Sequence, residues 1–205
     1  MRLSVLDVMK LAPVIPVLVI DEIADAVAIA EALVAGGCPA LEVTLRTPAA
    51  LEVIRAMSGV KGAVVGAGTV LNIAALDAAL SAGARFIVSP GLTEPLARAA
   101  IARDTAFLPG VATASDLMRG LDLGLSAFKF FPAVANGGPA ALKALLAPIP
   151  DVAICPTGGI TLESASEWLA IPQVACVGGS WLVPRGRPES AKILSAARAA
   201  AALAR

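Results

Sequence analysis

The 205-residue sequence contains no histidine and no tyrosine. The missing histidine removes the commonest general base, the usual partner of a nucleophilic serine or cysteine, and the commonest zinc ligand. A site in this chain has to be made from lysine, arginine, carboxylates, hydroxyls and backbone amides. An excess of one charge is missing too. Sixteen basic and sixteen acidic side chains cancel, so no field steers the chain toward nucleic acid or anionic lipid, and a small molecule is the expected partner. No apolar run approaches the ~20 residues that cross a bilayer. Leu11–Ile20, after Lys10, has the outline of a signal-peptide core. Pro13 and Pro16 interrupt it, however, and Asp21 and Glu22 follow where small cleavage-site residues would stand. Cys38, Cys155 and Cys176 are odd in number, widely spaced and without a CxxC pair. That pattern argues against a disulfide framework and for a cytoplasmic protein.

What is present is apolar and repetitive. Hydrophobic residues make up 58% of the chain, chiefly Ala, with Leu and Val next, a composition suited to parallel strands buried on both faces beneath Ala-rich helices. Strand candidates begin near Val14, Ala40, Ala63, Phe86, Ala106, Ala127, Ala153 and Val174. Their spacing of roughly two dozen residues is that of one β-loop-α unit. Gly36-Gly37 closes a helix over 23–35, and Thr47-Pro48 supplies a cap and first-turn proline for the next. Asn72, Thr93 and Thr161 stand before later helices. Eight such units without a linker, and without a GxGxxG turn after the first strand, predict an α/β chain of one domain spanning 1–205. This is a single (β/α)8 barrel of the TIM class, with an extra N-terminal helix over 4–11 and a closing helix over 188–204.

In such a barrel the chemistry lies at the C-terminal ends of the strands. In Leu41-Glu42-Val43-Thr44-Leu45-Arg46 the two-residue period places Glu42, Thr44 and Arg46 on one face, the lumen or its rim. The plain alternative is a buried structural ion pair. Lys129 stands among Phe128, Phe130 and Phe131. Lysine is seldom buried without a partner, and an amine in apolar surroundings is a nucleophile able to form an imine with a ketone. The alternative is a lysine extending outward between helices. Strands two and six lie opposite each other in an eight-stranded barrel. Glu42 and Lys129 should therefore face across the lumen, with room for a small keto acid between them. Glycine-rich turns follow strand three (Gly66-Ala67-Gly68-Thr69), strand seven (Thr157-Gly158-Gly159) and strand eight (Gly178-Gly179-Ser180). The last two are where phosphate sits in many such barrels, held by backbone amides and a following helix N-terminus. Ser89-Pro90-Gly91 and Pro109-Gly110 shape the remaining rim, and Cys155, Cys176, Trp168 and Trp181 read as packing residues.

Six runs, in order and covering nearly the whole chain, resemble the 2-keto-3-deoxy-6-phosphogluconate (KDPG) and 4-hydroxy-2-oxoglutarate (KHG) aldolase family. They are Leu41-Glu-Val-Thr-Leu-Arg46, Val65-Gly-Ala-Gly-Thr-Val70, Ser89-Pro-Gly-Leu-Thr-Glu94, Phe128-Lys-Phe-Phe-Pro132, Cys155-Pro-Thr-Gly-Gly-Ile160 and Gly178-Gly-Ser-Trp-Leu-Val-Pro184. The resemblance implies a homotrimeric class I aldolase of the Entner–Doudoroff route, needing neither metal nor cofactor, that yields pyruvate and glyceraldehyde 3-phosphate. It makes Lys129 the imine-forming lysine and Glu42 the proton-transferring carboxylate. It places Arg46, Thr69 and Pro90 around the pyruvate portion, Phe131 against the reacting carbons and Thr157 at a substrate hydroxyl. Gly158, Gly159, Gly179 and Ser180 would hold phosphate. Some relatives carry an arginine near the end of strand one, where this chain has Leu18-Val19-Ile20, so that contribution has to come from elsewhere. The nearest rival is cleavage of 4-hydroxy-2-oxoglutarate to pyruvate and glyoxylate, and the phosphogalactonate epimer is another. A sugar-phosphate isomerase using Glu42 as base without a covalent intermediate is a rival from a different class, and a non-catalytic sugar-phosphate binder a further one. A metal-dependent aldolase would need clustered carboxylates at the strand ends, which the sequence does not offer.

Overall fold

A computed structural model describes residues 3–186 and 189–204. Its parallel strands are β1 (Val14–Leu18), β2 (Ala40–Thr44), β3 (Val64–Gly68), β4 (Phe86–Ser89), β5 (Ala106–Val111), β6 (Ala127–Phe130), β7 (Ala153–Pro156) and β8 (Val177–Gly179). They pair in the order β7-β6-β5-β4-β3-β2-β1-β8. Two isolated parallel bridges, Ile154 with Val174 and Thr157 with Gly178, join β7 to the β8 segment. The sheet thus closes on itself as the (β/α)8 barrel expected from the repeat. The helices are α1 (Val5–Lys10), α2 (Ala26–Ala35), α3 (Ala50–Ser58), α4 (Ile73–Ser81), α5 (Glu94–Ala102), α6 (Ala114–Asp122), α7 (Gly138–Leu146), α8 (Leu162–Leu169) and α9 (Ser190–Ala201). Among the described residues no helix is long and apolar enough to cross a membrane.

Most boundaries follow the local chemistry read from the sequence. Ser4 and Asp7 form a capping box at α1, Asn72 caps the amide of Ala75 in α4, and Thr161 and Ser164 close a box at α8. The exceptions are informative. Thr47 does not cap α3, whose N-cap is Ala49 without a side-chain hydrogen bond. Its hydroxyl instead donates to the Ile20 carbonyl at 2.8 Å, tying the β2 loop to the end of the β1 segment. Thr93 is the N-cap of α5, but its side chain makes no cap hydrogen bond. β8 starts at Val177 rather than Val174, because Val174 makes only the single bridge to Ile154. The helix expected over 23–35 is a short 3-10 turn at Ile23–Asp25 followed by α2. The closing helix runs Ser190–Ala201, and the Pro188 start assigned to it lies outside the described residues.

Alternation along the strands separates two cores. Val14, Leu18, Leu41, Val43, Val65, Ile87, Phe107, Phe128, Phe130 and Ile154 face the helical shell. Ile15, Ala40, Val64, Phe86, Val88, Ala106, Leu108, Ala127, Cys155 and Cys176 fill the lower lumen, where Val8 and Met9 of α1 join them. The extra N-terminal helix is therefore the plug of the barrel floor. Phe86 fills much of that floor by lying over Gly66, where an added Cβ would come within 2.5 Å of three ring atoms. The ring is 1% exposed and has no open space to retreat into. Gly66→Ala is expected to cost about 1–3 kcal/mol by overpacking, read from the urea midpoint. An unchanged midpoint would show that the floor is loosely filled.

Candidate active site

Above the apolar floor the lumen becomes polar. Among the described residues the buried polar side chains are Glu42, Thr44, Ser89, Lys129 and Thr157. Thr44 and Ser89 end β2 and β4, Thr157 follows β7, and Glu42 and Lys129 lie two residues and one residue inside the C-terminal ends of β2 and β6. Lys129 points inward because Phe128 and Phe130 on either side belong to the helix-facing core, Phe130 resting 6.4 Å from the Trp168 ring. This excludes the outward-extending lysine. Nζ of Lys129 donates to Oε1 of Glu42 at 3.1 Å, with both side chains about 95% buried. The sequence placed these residues opposite each other with space between. Instead the two long side chains span the lumen and touch, since a charge removed from water is tolerable chiefly beside its counter-charge. The Nζ atom also lies 5.3 Å from the centroid of the Phe131 ring, within cation–π range.

Glu42 does not pair with Arg46, so the structural ion pair considered for this strand is not formed between them. Arg46 is exposed at the rim, and its Nε donates to Oγ1 of Thr69 at 3.1 Å. Thr69 holds that position with φ at +59°, left-handed backbone unusual for a β-branched residue. Thr44 donates to the Leu18 carbonyl at 2.8 Å, stitching β1 to β2 directly above Glu42. Ser89 donates to the Gly91 carbonyl at 2.7 Å and shapes the turn that carries Pro90. The two-residue period of the strand marks Thr44 only as a lumen residue. Its stitching role depends on the stagger between strands.

The glycine turns gather on the opposite side of the rim. Thr157 accepts from Ala133 N at 2.8 Å through its carbonyl, and Gly158 accepts from Val134 N at 3.0 Å. These bonds lock the β7 turn to the segment after β6. Gly158 and Gly159 have φ of +107° and +79°, which glycine adopts without strain. The Thr157 hydroxyl makes only long contacts, 3.5 Å to the Cys155 carbonyl and 3.8 Å to its sulfur. The Thr157–Gly178 bridge brings this turn beside Gly179, which is buried, and Ser180, which is exposed. No helix N-terminus directly follows the β8 turn, since α9 begins only at Ser190. Only the β7 turn runs straight into a helix, α8, whose cap Thr161 already serves the Ser164 amide. A cavity of about 740 Å³ opens beside β1 and the chain beyond β8, lined by Val19, Ile20, Asp21, Glu22, Asp25 and Pro184 among others. It reaches neither Lys129 nor Glu42, and the buried charged pair, not cavity size, marks the candidate site.

Cys38, Cys155 and Cys176 are buried and form no disulfide. Desolvation pushes the Cys38 thiol up to about 11, which keeps it protonated and unreactive at neutral pH. The packing role assigned to the lumen cysteines fits their place in the floor.

The left-handed Thr69 is a local strain held for its hydroxyl. Thr69→Gly should relieve it and, net of the extra backbone entropy of glycine, raise stability by about 1 kcal/mol in a urea titration. A lower midpoint would mean that the bond to Arg46 outweighs the strain.

Known proteins bear on this geometry directly. The family model described as KDPG and KHG aldolase matches residues 5–196. The 2-dehydro-3-deoxy-phosphogluconate aldolase of Zymomonas mobilis is 60% identical over 198 residues, which span 97% of this chain and 95% of that protein. The crystal structure of the Zymomonas mobilis ZM4 2-keto-3-deoxy-6-phosphogluconate aldolase with 3-phosphoglycerate superposes with a TM-score of 0.97 at 58% identity. That match covers 100% of this chain and 98% of the other. The KDPG aldolase of Legionella pneumophila, with pyruvate captured at low pH as a covalent carbinolamine intermediate, gives 0.94 at 43% identity over 97% and 98% of the two chains. With the match running through every strand of the barrel and its charged lumen, the chain belongs to the KDPG and KHG aldolase family.

Proposed function

We propose that the protein is a class I aldolase that cleaves 2-keto-3-deoxy-6-phosphogluconate to pyruvate and glyceraldehyde 3-phosphate through an imine on Lys129. The observation that carries this reading is the buried 3.1 Å contact between the Lys129 amine and the Glu42 carboxylate. A proton passing along that hydrogen bond frees the amine to attack the C2 ketone. The hydroxyl of the resulting carbinolamine takes that proton back from Glu42 and leaves as water, which restores the carboxylate and gives an iminium that acts as the electron sink. Glu42 takes the proton of the C4 hydroxyl, the C3–C4 bond breaks, and its electron pair moves into the iminium to give an enamine. The aldehyde leaves, Glu42 returns the proton to C3, and water releases pyruvate and the free amine. The carbinolamine captured in the Legionella pneumophila relative is the species expected at the first step.

The other roles are assigned by position. Arg46, steadied through Nε by Thr69, has its remaining guanidinium donors to fix the pyruvate carboxylate, which aligns the ketone for attack. Pro90 and Phe131 border the reacting carbons. The loosely held Thr157 hydroxyl is available to a substrate hydroxyl, and Gly158, Gly159, Gly179 and Ser180 form the phosphate end. The same resemblance supports a homotrimer, and three buried thiols that form no disulfide fit a cytoplasmic setting.

Incubation with pyruvate and sodium borohydride, followed by peptide mapping, should give one reduced pyruvyl adduct, on Lys129. Folded protein that forms no adduct would overturn the imine mechanism and favour the non-covalent isomerase. Separately, kcat/KM should be higher for the phosphorylated substrate than for 4-hydroxy-2-oxoglutarate, because the phosphate end contributes binding only to the former. The reverse ranking would make glyoxylate release the main activity.

A further inference from the structure

Glu42 reaches Lys129 along a path that crosses β3. Directly beneath its carboxylate, where β3 ends, is Gly68, paired in register with Thr44. A Cβ at Gly68 would lie 2.2 Å from Oε1, 2.7 Å from Cγ and 2.8 Å from Cδ of Glu42. The Gly68 backbone is not among the left-handed positions of the chain, so its dihedrals do not call for glycine. Glycine also weakens a strand interior, and its presence there often marks a close approach by another group. Space alone accounts for it. We infer that Gly68 is a positioning residue, a slot that seats the Glu42 carboxylate against the Lys129 amine.

The contrast with Gly66, two residues earlier on the same face, gives this inference its character. An added methyl at Gly66 meets the Phe86 ring, which is walled in by the barrel floor. At Gly68 it meets the far end of a flexible side chain, the Glu42 carboxylate, which can turn aside without moving the backbone. Gly68→Ala therefore leaves the barrel intact and moves one functional group, at the cost of the ion pair it opens. The same device recurs once across the lumen, where a Cβ at Gly178 would stand 2.2 Å from Oγ1 of Thr157.

The inference rests on the role proposed for Glu42, and the test separates the two. Gly68→Ala is prepared in the wild-type background and in Glu42→Ala, where the methyl has no carboxylate to displace. Three readouts are compared: thermal midpoint, reductive trapping of pyruvate on Lys129, and exchange of the pyruvate methyl protons in D2O. That exchange needs proton transfer as well as the imine. In the wild-type background, Gly68→Ala should stay folded, with its thermal midpoint lowered by no more than Glu42→Ala lowers it because the same buried ion pair is opened, and should still form the adduct on long incubation. It should lose methyl exchange and substrate cleavage by about a hundredfold or more, the scale of general acid–base catalysis. Added to Glu42→Ala it should cost nothing further, because residues acting through one another are not additive. Wild-type exchange in Gly68→Ala, or an equal added loss in both backgrounds, overturns the proposal. Failure of the wild type to trap pyruvate would instead sink the imine reading. The slot is then decided by a crystal structure of Gly68→Ala, in which a carboxylate still within 3.5 Å of Nζ refutes it.

Discussion

A carboxylate and an ammonium held 3.1 Å apart, each about 95% buried, impose the strongest constraint on this barrel. Neither charge is tolerable alone at that depth. Removing one partner of such a pair generally costs about 3–5 kcal/mol, since the other is left buried and uncompensated. The pair therefore requires β2 and β6 to stand across the lumen at fixed height. It also requires Phe128 and Phe130 to face the helices so that Lys129 faces inward, and the neighbouring strand to leave room for the Glu42 carboxylate. Each condition is met by residue types that would be unremarkable elsewhere.

The lumen is divided along its axis, and the division explains how one fold supports both stability and chemistry. Its lower half is an apolar core of strand side chains plugged by α1. Its upper half holds the buried polar groups. The rim beyond them carries Arg46 with Thr69, the Ser89-Pro90-Gly91 turn, and the Thr157-Gly158-Gly159 turn beside Gly179 and Ser180. These groups sit on or next to different strands of one hydrogen-bonded sheet, so their relative positions are set by the barrel rather than by any loop alone.

Local bonds at the rim strengthen that arrangement. Thr44 and Thr47 both use hydroxyls to hold carbonyls of the β1 segment, at Leu18 and Ile20. The chain on either side of Arg46 is thereby anchored while the guanidinium stays exposed. Thr69 keeps a left-handed backbone that a glycine would adopt more easily. The strain makes physical sense only if its hydroxyl is needed where it stands, against Arg46.

Much of this was legible in the sequence. The repeat of β-loop-α units, the two-residue period through Glu42, Thr44 and Arg46, and a lysine flanked by outward-facing phenylalanines are local patterns, and local periodicity determined strand, face and lumen. The caps at Asn72 and Thr161 were readable for the same reason, since each acts within one helical turn. Tertiary structure alone decided which lumen groups meet. The closure of the Glu42–Lys129 gap, the diversion of Thr47 from α3 to Ile20, and the seating of Glu42 over Gly68 depend on inter-strand stagger. The missing helix behind the β8 turn depends on how the chain after that strand packs. Stagger is a property of the closed sheet. A sequence records which face a residue takes, because that follows from its neighbours. It does not record the height at which residues from distant strands come together, because that is fixed only when the barrel closes.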